Sequence, residues 1–100
     1  VKQRTLIWSA RARRELGEIG EYIARDKPGA ANRWIETLAA MAEQAAAMPL
    51  AGRQVPEYGR DDVRELIKRG YRVIYRVSDD RVEIVTVRDG HRQLPTDIEK

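Results

Sequence analysis

Arg72 and Arg76 stand four residues apart in a run of β-forming residues, so an extended strand presents both guanidinium groups on one face. Two such planar forks could hold a phosphate. Glu65 and Glu83 fall in the neighbouring runs and could accept a proton as bases. His91 is the chain's only histidine and the one side chain whose ordinary titration lies near neutrality. It follows the last strand-like run, where nothing local fixes its aim. Opposed Arg and Glu on adjacent strands are also the ingredients of plain cross-strand ion pairs.

Composition narrows the remaining chemistry. The chain has 100 residues and no Cys, so it has no disulfide frame, thiolate nucleophile or Cys-ligated metal. One His argues against a His-rich zinc site, and neither metal nor cofactor is expected. No apolar run approaches the ~20 residues that span a bilayer. Val1-Lys2-Gln3-Arg4 leads into only a few apolar residues, so no signal peptide is expected and the cytoplasm is the expected compartment. The net charge of +3 is too mild to argue for nucleic-acid binding. Neither sequence-specific DNA binding nor a membrane partner is expected.

The length suits one domain, residues 1–100. Of the apolar residues 12 are Ala, and Phe is absent, so Leu, Ile, Val, Met, Trp and Tyr must build the core. A chain of this size buries roughly 60–65% of its unfolded surface. Its stability alone is therefore modest, which leaves room for a partner.

The periodicity supplies the elements that must position these groups. Arg4–Trp8 reads as a first strand, with Ser9 as the cap of a helix over 10–26. Ala12, Leu16, Ile19 and Ile23 form its apolar stripe, and Arg11, Arg14, Glu15, Glu18, Glu21 and Arg25 its polar face. Gly17 and Gly20 suggest close approach by another backbone, or merely a tolerant solvated face. Asp26-Lys27-Pro28-Gly29 breaks this helix. Ala31, Trp34, Leu38, Met41, Ala45 and Met48 then predict a second helix over 29–48, antiparallel to the first. Pro49 ends it, and residues 49–62 read as a loop. Three strands follow, Val63–Lys68, Tyr71–Ser78 and Arg81–Arg88, joined by two-residue turns at Arg69-Gly70 and Asp79-Asp80. The tail over 89–100 has no period and is expected to lie against the domain or to fray. The expected class is α+β, with a helical hairpin packed on one face of an antiparallel sheet.

Two-residue turns fix register, and register fixes faces. Leu66, Val73, Tyr75, Val77, Val82 and Ile84 should meet the helices. The reverse face should carry Val63, Glu65, Ile67, Arg72, Ile74, Arg76, Glu83, Val85 and Val87, with Ile74 opposite Val85. This face is too apolar for open water and too charged for a core. It reads as a docking surface for a protein partner, or as cross-strand ion pairs covering a thin apolar patch.

Three stretches carry a family resemblance: WSARARRELGEIGEYIARDKPGAANRWIETL, MPLAGRQVPEYGRDDVRELIKRGYRVIYRV and VTVRDGHRQLP. Together they resemble the ParE branch of the RelE/ParE toxins, from Trp8 to Pro95. The most telling parts are Trp8-Ser9, Pro49…Gly52-Arg53, Val63-Arg64-Glu65-Leu66 and Tyr71-Arg72-Val73-Ile74-Tyr75-Arg76. The resemblance implies a small α+β toxin of a bacterial type II toxin–antitoxin system. It also implies a ParD-like antitoxin that wraps its C-terminal segment around the toxin. ParE-type members inhibit DNA gyrase, whereas RelE-type relatives cleave mRNA on the ribosome. For the gyrase reading the expected target contacts are Arg88, His91 and Arg92, and the chain is not an enzyme. For the antitoxin they are Ile67, Arg72, Ile74, Arg76, Val85 and Val87. The nuclease alternative would use Arg72, Arg76, His91 and Glu65, although the tail lacks the Tyr often found in RelE-like nucleases. A third reading is a module that binds antitoxin without being toxic.

Overall fold

The computed structural model describes residues 4–98. Val1–Gln3, where no leader is expected, and the last two residues of the tail lie outside the described residues. Strand β1 is Thr5–Trp8, and helix α1 is Ala10–Asp26. Ser9 caps α1 as its residue type predicts: its side chain accepts from the Ala12 amide at 3.0 Å. Helix α2, Pro28–Ala47, starts on the proline that interrupts the chain after α1. Pro49–Ala51 makes a short 3₁₀ turn, and Arg53–Gln54 forms a two-residue strand β2 inside the stretch predicted as loop. Strands β3 (Val63–Lys68), β4 (Tyr71–Val77) and β5 (Arg81–Asp89) complete the regular structure of the described residues.

The five strands form one sheet in the order β1-β5-β4-β3-β2. The final three are the antiparallel meander read from the sequence. β1 adds to its edge in parallel, with Leu6 beside Val82 and Trp8 beside Ile84. Arg69 and Gly70 both take positive φ, 50° and 85°, as a two-residue hairpin turn matched to strand twist requires.

The helical hairpin packs on one face of the sheet. Ala12 from α1 and Leu38, Met41, Ala42, Ala45 and Ala46 from α2 close over Val73, Tyr75, Val82 and Ile84. The α2 alanines allow this close approach, and Met48, last in the predicted stripe, is exposed. Of the two α1 glycines only Gly20 is a packing site: a Cβ there would run into the Ile35 side chain, whereas Gly17 has open space.

β4 and β5 keep the predicted pairing from Val77–Val82 to Tyr75–Ile84. A bulge then intervenes. Ile74 pairs with Thr86, not with Val85 as expected. The extra residue turns Val87 over to the helix side, opposite Val73, where it joins the first core.

The reverse face is also different from the one expected. It holds a second core of Val55, Val63, Ile74, Val85, Leu94 and Ile98. The segment after β2 and the C-terminal tail fold back over the sheet, so the chain itself covers the apolar ribs of Ile74 and Val85. Tyr58 clips the two covering segments together by donating to the Pro95 carbonyl. A small chain gains a third layer this way, and the apolar area leaves water without a partner. Among the described residues, no helix is long and apolar enough to cross a membrane.

Candidate functional site

Four charged side chains of the reverse face, Glu65, Arg72, Arg53 and Glu57, form one connected network. Glu65 on β3 is buried and accepts from Arg72 Nε on β4 at 2.5 Å and from Arg53 Nε on β2 at 2.7 Å. Arg72 also grips Glu57 through both terminal nitrogens, at 2.8 and 3.0 Å. These Arg72 hydrogen bonds hold the Glu57 carboxyl at about 2, well below its ordinary 4.5. They likewise push the Arg72 guanidinium further above its usual range, with Glu65 adding to the effect. Arg76 pairs with Glu83 across β4 and β5 at 2.6 Å. Arg72 and Glu65 therefore do meet, but as a buried ion pair.

A different cluster forms where α1 runs beside the second half of β5. β1 pairs with β5 only as far as Ile84. Beyond it, side chains of α1 and its cap take over the backbone of the bulge. The Ser9 hydroxyl donates to the Val85 carbonyl at 3.1 Å. Glu15 accepts from the Val87 amide at 3.1 Å and from the Thr86 hydroxyl at 2.7 Å. Its other oxygen pairs with Arg88 at 3.0 Å, and Arg88 Nε also donates to the Thr86 hydroxyl at 3.2 Å. Arg88, expected as a target contact, is thus a largely buried cation neutralised by Glu15.

His91 and Arg92 are exposed, in a turn tied by the His91 amide to Asp89 Oδ1 and by the Arg92 amide to the Asp89 carbonyl. Arg92 lines a groove of about 410 Å³ with Glu15, Glu18, Glu21, Tyr22 and Arg25. Of the three expected target contacts, Arg88 and Arg92 therefore stand beside carboxylates of α1.

Of the six residues expected to meet an antitoxin, Ile67 is half exposed and Arg76 is partly so. Ile74, Val85 and Val87 are buried inside the chain's own two cores, and Arg72 is buried in the ion-pair network. Glu15, Glu57 and Arg53 are not among the site residues expected from the sequence. Glu15 did carry a signal: it lies three residues after Ala12 and four before Ile19, which is core spacing on a helix. Among the described residues, no group of three or more His, Asp or Glu could hold a metal.

Comparison with known proteins agrees with this architecture. Residues 6–94 match the family described as ParE toxin of type II toxin-antitoxin system, parDE. The chain belongs to the ParE toxin family. A Sinorhizobium fredii protein named "Putative toxin Y4kP" is 38% identical to it over 98 residues, covering 95% of this chain and 97% of the relative. The fold of this ParE-family chain is shared with a chain of the chromosomal ParDE system from P. aeruginosa. That match has a TM-score of 0.72 and 18% identity, and covers 85% of this chain and 94% of the other. A chain of the RelBE2 toxin–antitoxin complex from Mycobacterium tuberculosis matches with a TM-score of 0.64 and 21% identity, over 89% of this chain and 93% of the other.

Proposed function

We propose that this ParE-family toxin acts as one domain in the cytoplasm, inhibits DNA gyrase without catalysing a reaction, and is neutralised by a ParD-like antitoxin that wraps its C-terminal segment around it. Family membership supports the toxin role. The pairing of Glu65 with Arg72 supports an inhibitor over an RNA-cleaving enzyme. Metal-free RNA cleavage needs a base with a free lone pair and cations free to clamp a phosphate. Here the carboxylate is shared by two guanidinium groups, and Arg72 is shared by two carboxylates. Freeing either group would leave a buried charge unpaired, which is strongly unfavourable.

In this reading His91 and Arg92 touch the target, and Arg88 stands behind them, held by Glu15. Exposed Ile67 and the partly exposed Arg76, paired with Glu83, are the remainder of the antitoxin surface. The test is direct. Purified toxin should inhibit gyrase supercoiling, and its expression should induce the SOS response. His91→Ala with Arg92→Ala should relieve both effects. Full supercoiling at saturating toxin, with codon-positioned mRNA cuts during growth arrest, would replace this reading with the ribosomal nuclease. Normal growth on overexpression without the antitoxin would indicate the non-toxic module.

A further inference from the structure

We infer that the groove between α2 and the β3–β4 hairpin docks an acidic segment of a protein partner, anchored by a bulky apolar side chain. The groove has a volume of about 520 Å³. Ile23, Trp34 and Tyr71 provide an apolar and aromatic lining, and Arg33, Lys68 and Arg69 bring three positive charges. No acidic residue lines it among the described residues. None of the three cations has an ion-pair partner among the described residues, in contrast to Arg53, Arg72, Arg76 and Arg88. Trp, Tyr and Arg around one depression are the residue types that carry most binding energy at protein interfaces.

Arg69 adds a second observation. It sits at φ 50° in the hairpin turn, a position that Asn, Asp or Gly occupies with less strain. Its guanidinium lies over the Trp34 ring, 5.7 Å from the centroid, while Tyr71 meets that ring edge-on at 5.4 Å. The turn thus carries a residue that suits its backbone poorly and suits the groove well.

The same geometry favours a peptide over a nucleic acid. Arg69 covers one face of Trp34, so the ring is no open stacking platform for bases. Tyr71 also borders the neighbouring groove lined by Glu15, Glu18, Glu21 and Asp89. A phosphate chain tracking in that direction would meet carboxylates. A short acidic segment needs only the local cations. The inference goes beyond the gyrase reading, because neither His91, Arg92 nor Ile67 lines this groove.

Random-peptide display on the purified full chain tests the assignment. Enriched sequences should combine Asp or Glu with Trp, Phe or Leu, and their binding should weaken with added salt. Arg69→Asn should weaken the synthesised peptides on the order of tenfold, while the hairpin gains stability because Asn accepts the left-handed position. A purely structural role for Arg69 would instead leave binding unchanged. Lys68→Glu should weaken binding similarly without altering the fold. Absence of acidic enrichment, or peptide binding indifferent to both substitutions, would overturn the inference. So would preferential binding of a mixed-sequence single-stranded oligonucleotide that Arg69→Asn abolishes.

Discussion

Tyr75 and Gly52 are locked together through one phenolic oxygen. The hydroxyl accepts from the Gly52 amide at 3.1 Å and donates to the Pro49 carbonyl at 2.7 Å. The ring is buried in the helix-side core, so this contact pins the segment after α2 to the middle of the sheet. Tyr75→Phe should cost about 1–3 kcal/mol, because a buried amide and a carbonyl lose their partner. Gly52→Ala should cost more. Its Cβ would run into the Tyr75 hydroxyl and stand 2.7 Å from the Glu65 carbonyl oxygen, which is backbone and cannot yield easily. Urea denaturation of the two variants checks the order.

Glu15 governs Arg88. Glu15→Gln keeps acceptor capacity for Thr86 and the Val87 amide but removes the charge facing Arg88. The variant should fold, lose about 1–3 kcal/mol, and carry a more mobile Arg88 beside His91 and Arg92. Glu15→Ala should be the more destabilised, since the bulge amide then has no acceptor. Gyrase inhibition measured beside thermal stability separates the two effects. Inhibition that falls in Glu15→Gln at a temperature where it is fully folded makes Glu15 a positioning residue.

The Glu57–Arg72 contact sets part of the acid limit. Glu57 titrates at about 2 in the folded chain against an ordinary 4.5. A depressed carboxylate contributes stability above its unfolded value and loses it as pH falls toward its folded one. The contribution should therefore fade between pH 4.5 and about 2. Its size is limited by solvent screening, because the Glu57 side chain is 49% exposed. Glu57→Gln should flatten that stretch of the stability profile in a pH series of denaturation curves.

Leu94 and Ile98 are the lid of the second core. Leu94→Ala should cost about 2 kcal/mol, toward the low end for a buried leucine because the site lies at the edge of its cluster. Removing residues from Gln93 onward should cost more and expose Ile74 and Val85. Binding of a hydrophobic dye should rise in the truncated chain and stay low in the full one. An unchanged dye signal would mean that the tail does not shield this face.

Local pattern determined much of this protein. The stripe Ala12, Leu16, Ile19, Ile23 and the cap Ser9 define α1, and the proline at position 28 separates the helices. The turns at Arg69-Gly70 and Asp79-Asp80 set the register from Lys68–Tyr71 and from Val77–Val82. Such signals are legible because helix period, strand alternation and turn chemistry involve neighbours in the chain. The family resemblance was legible for the same reason, as short runs in fixed order.

Tertiary structure decided the rest. The bulge at Val85 exists where Ser9 and Glu15, more than 70 residues earlier, supply hydrogen bonds that the strand ladder lacks. That one residue moved Val87 to the other face and placed Arg88 against a carboxylate. The tail had no period, because Leu94 and Ile98 anchor it singly to a distant sheet face. Whether an apolar sheet face awaits a partner or is covered by its own chain depends on such long-range closure. Alternation along a strand says which side is apolar, and only packing says what lies against it.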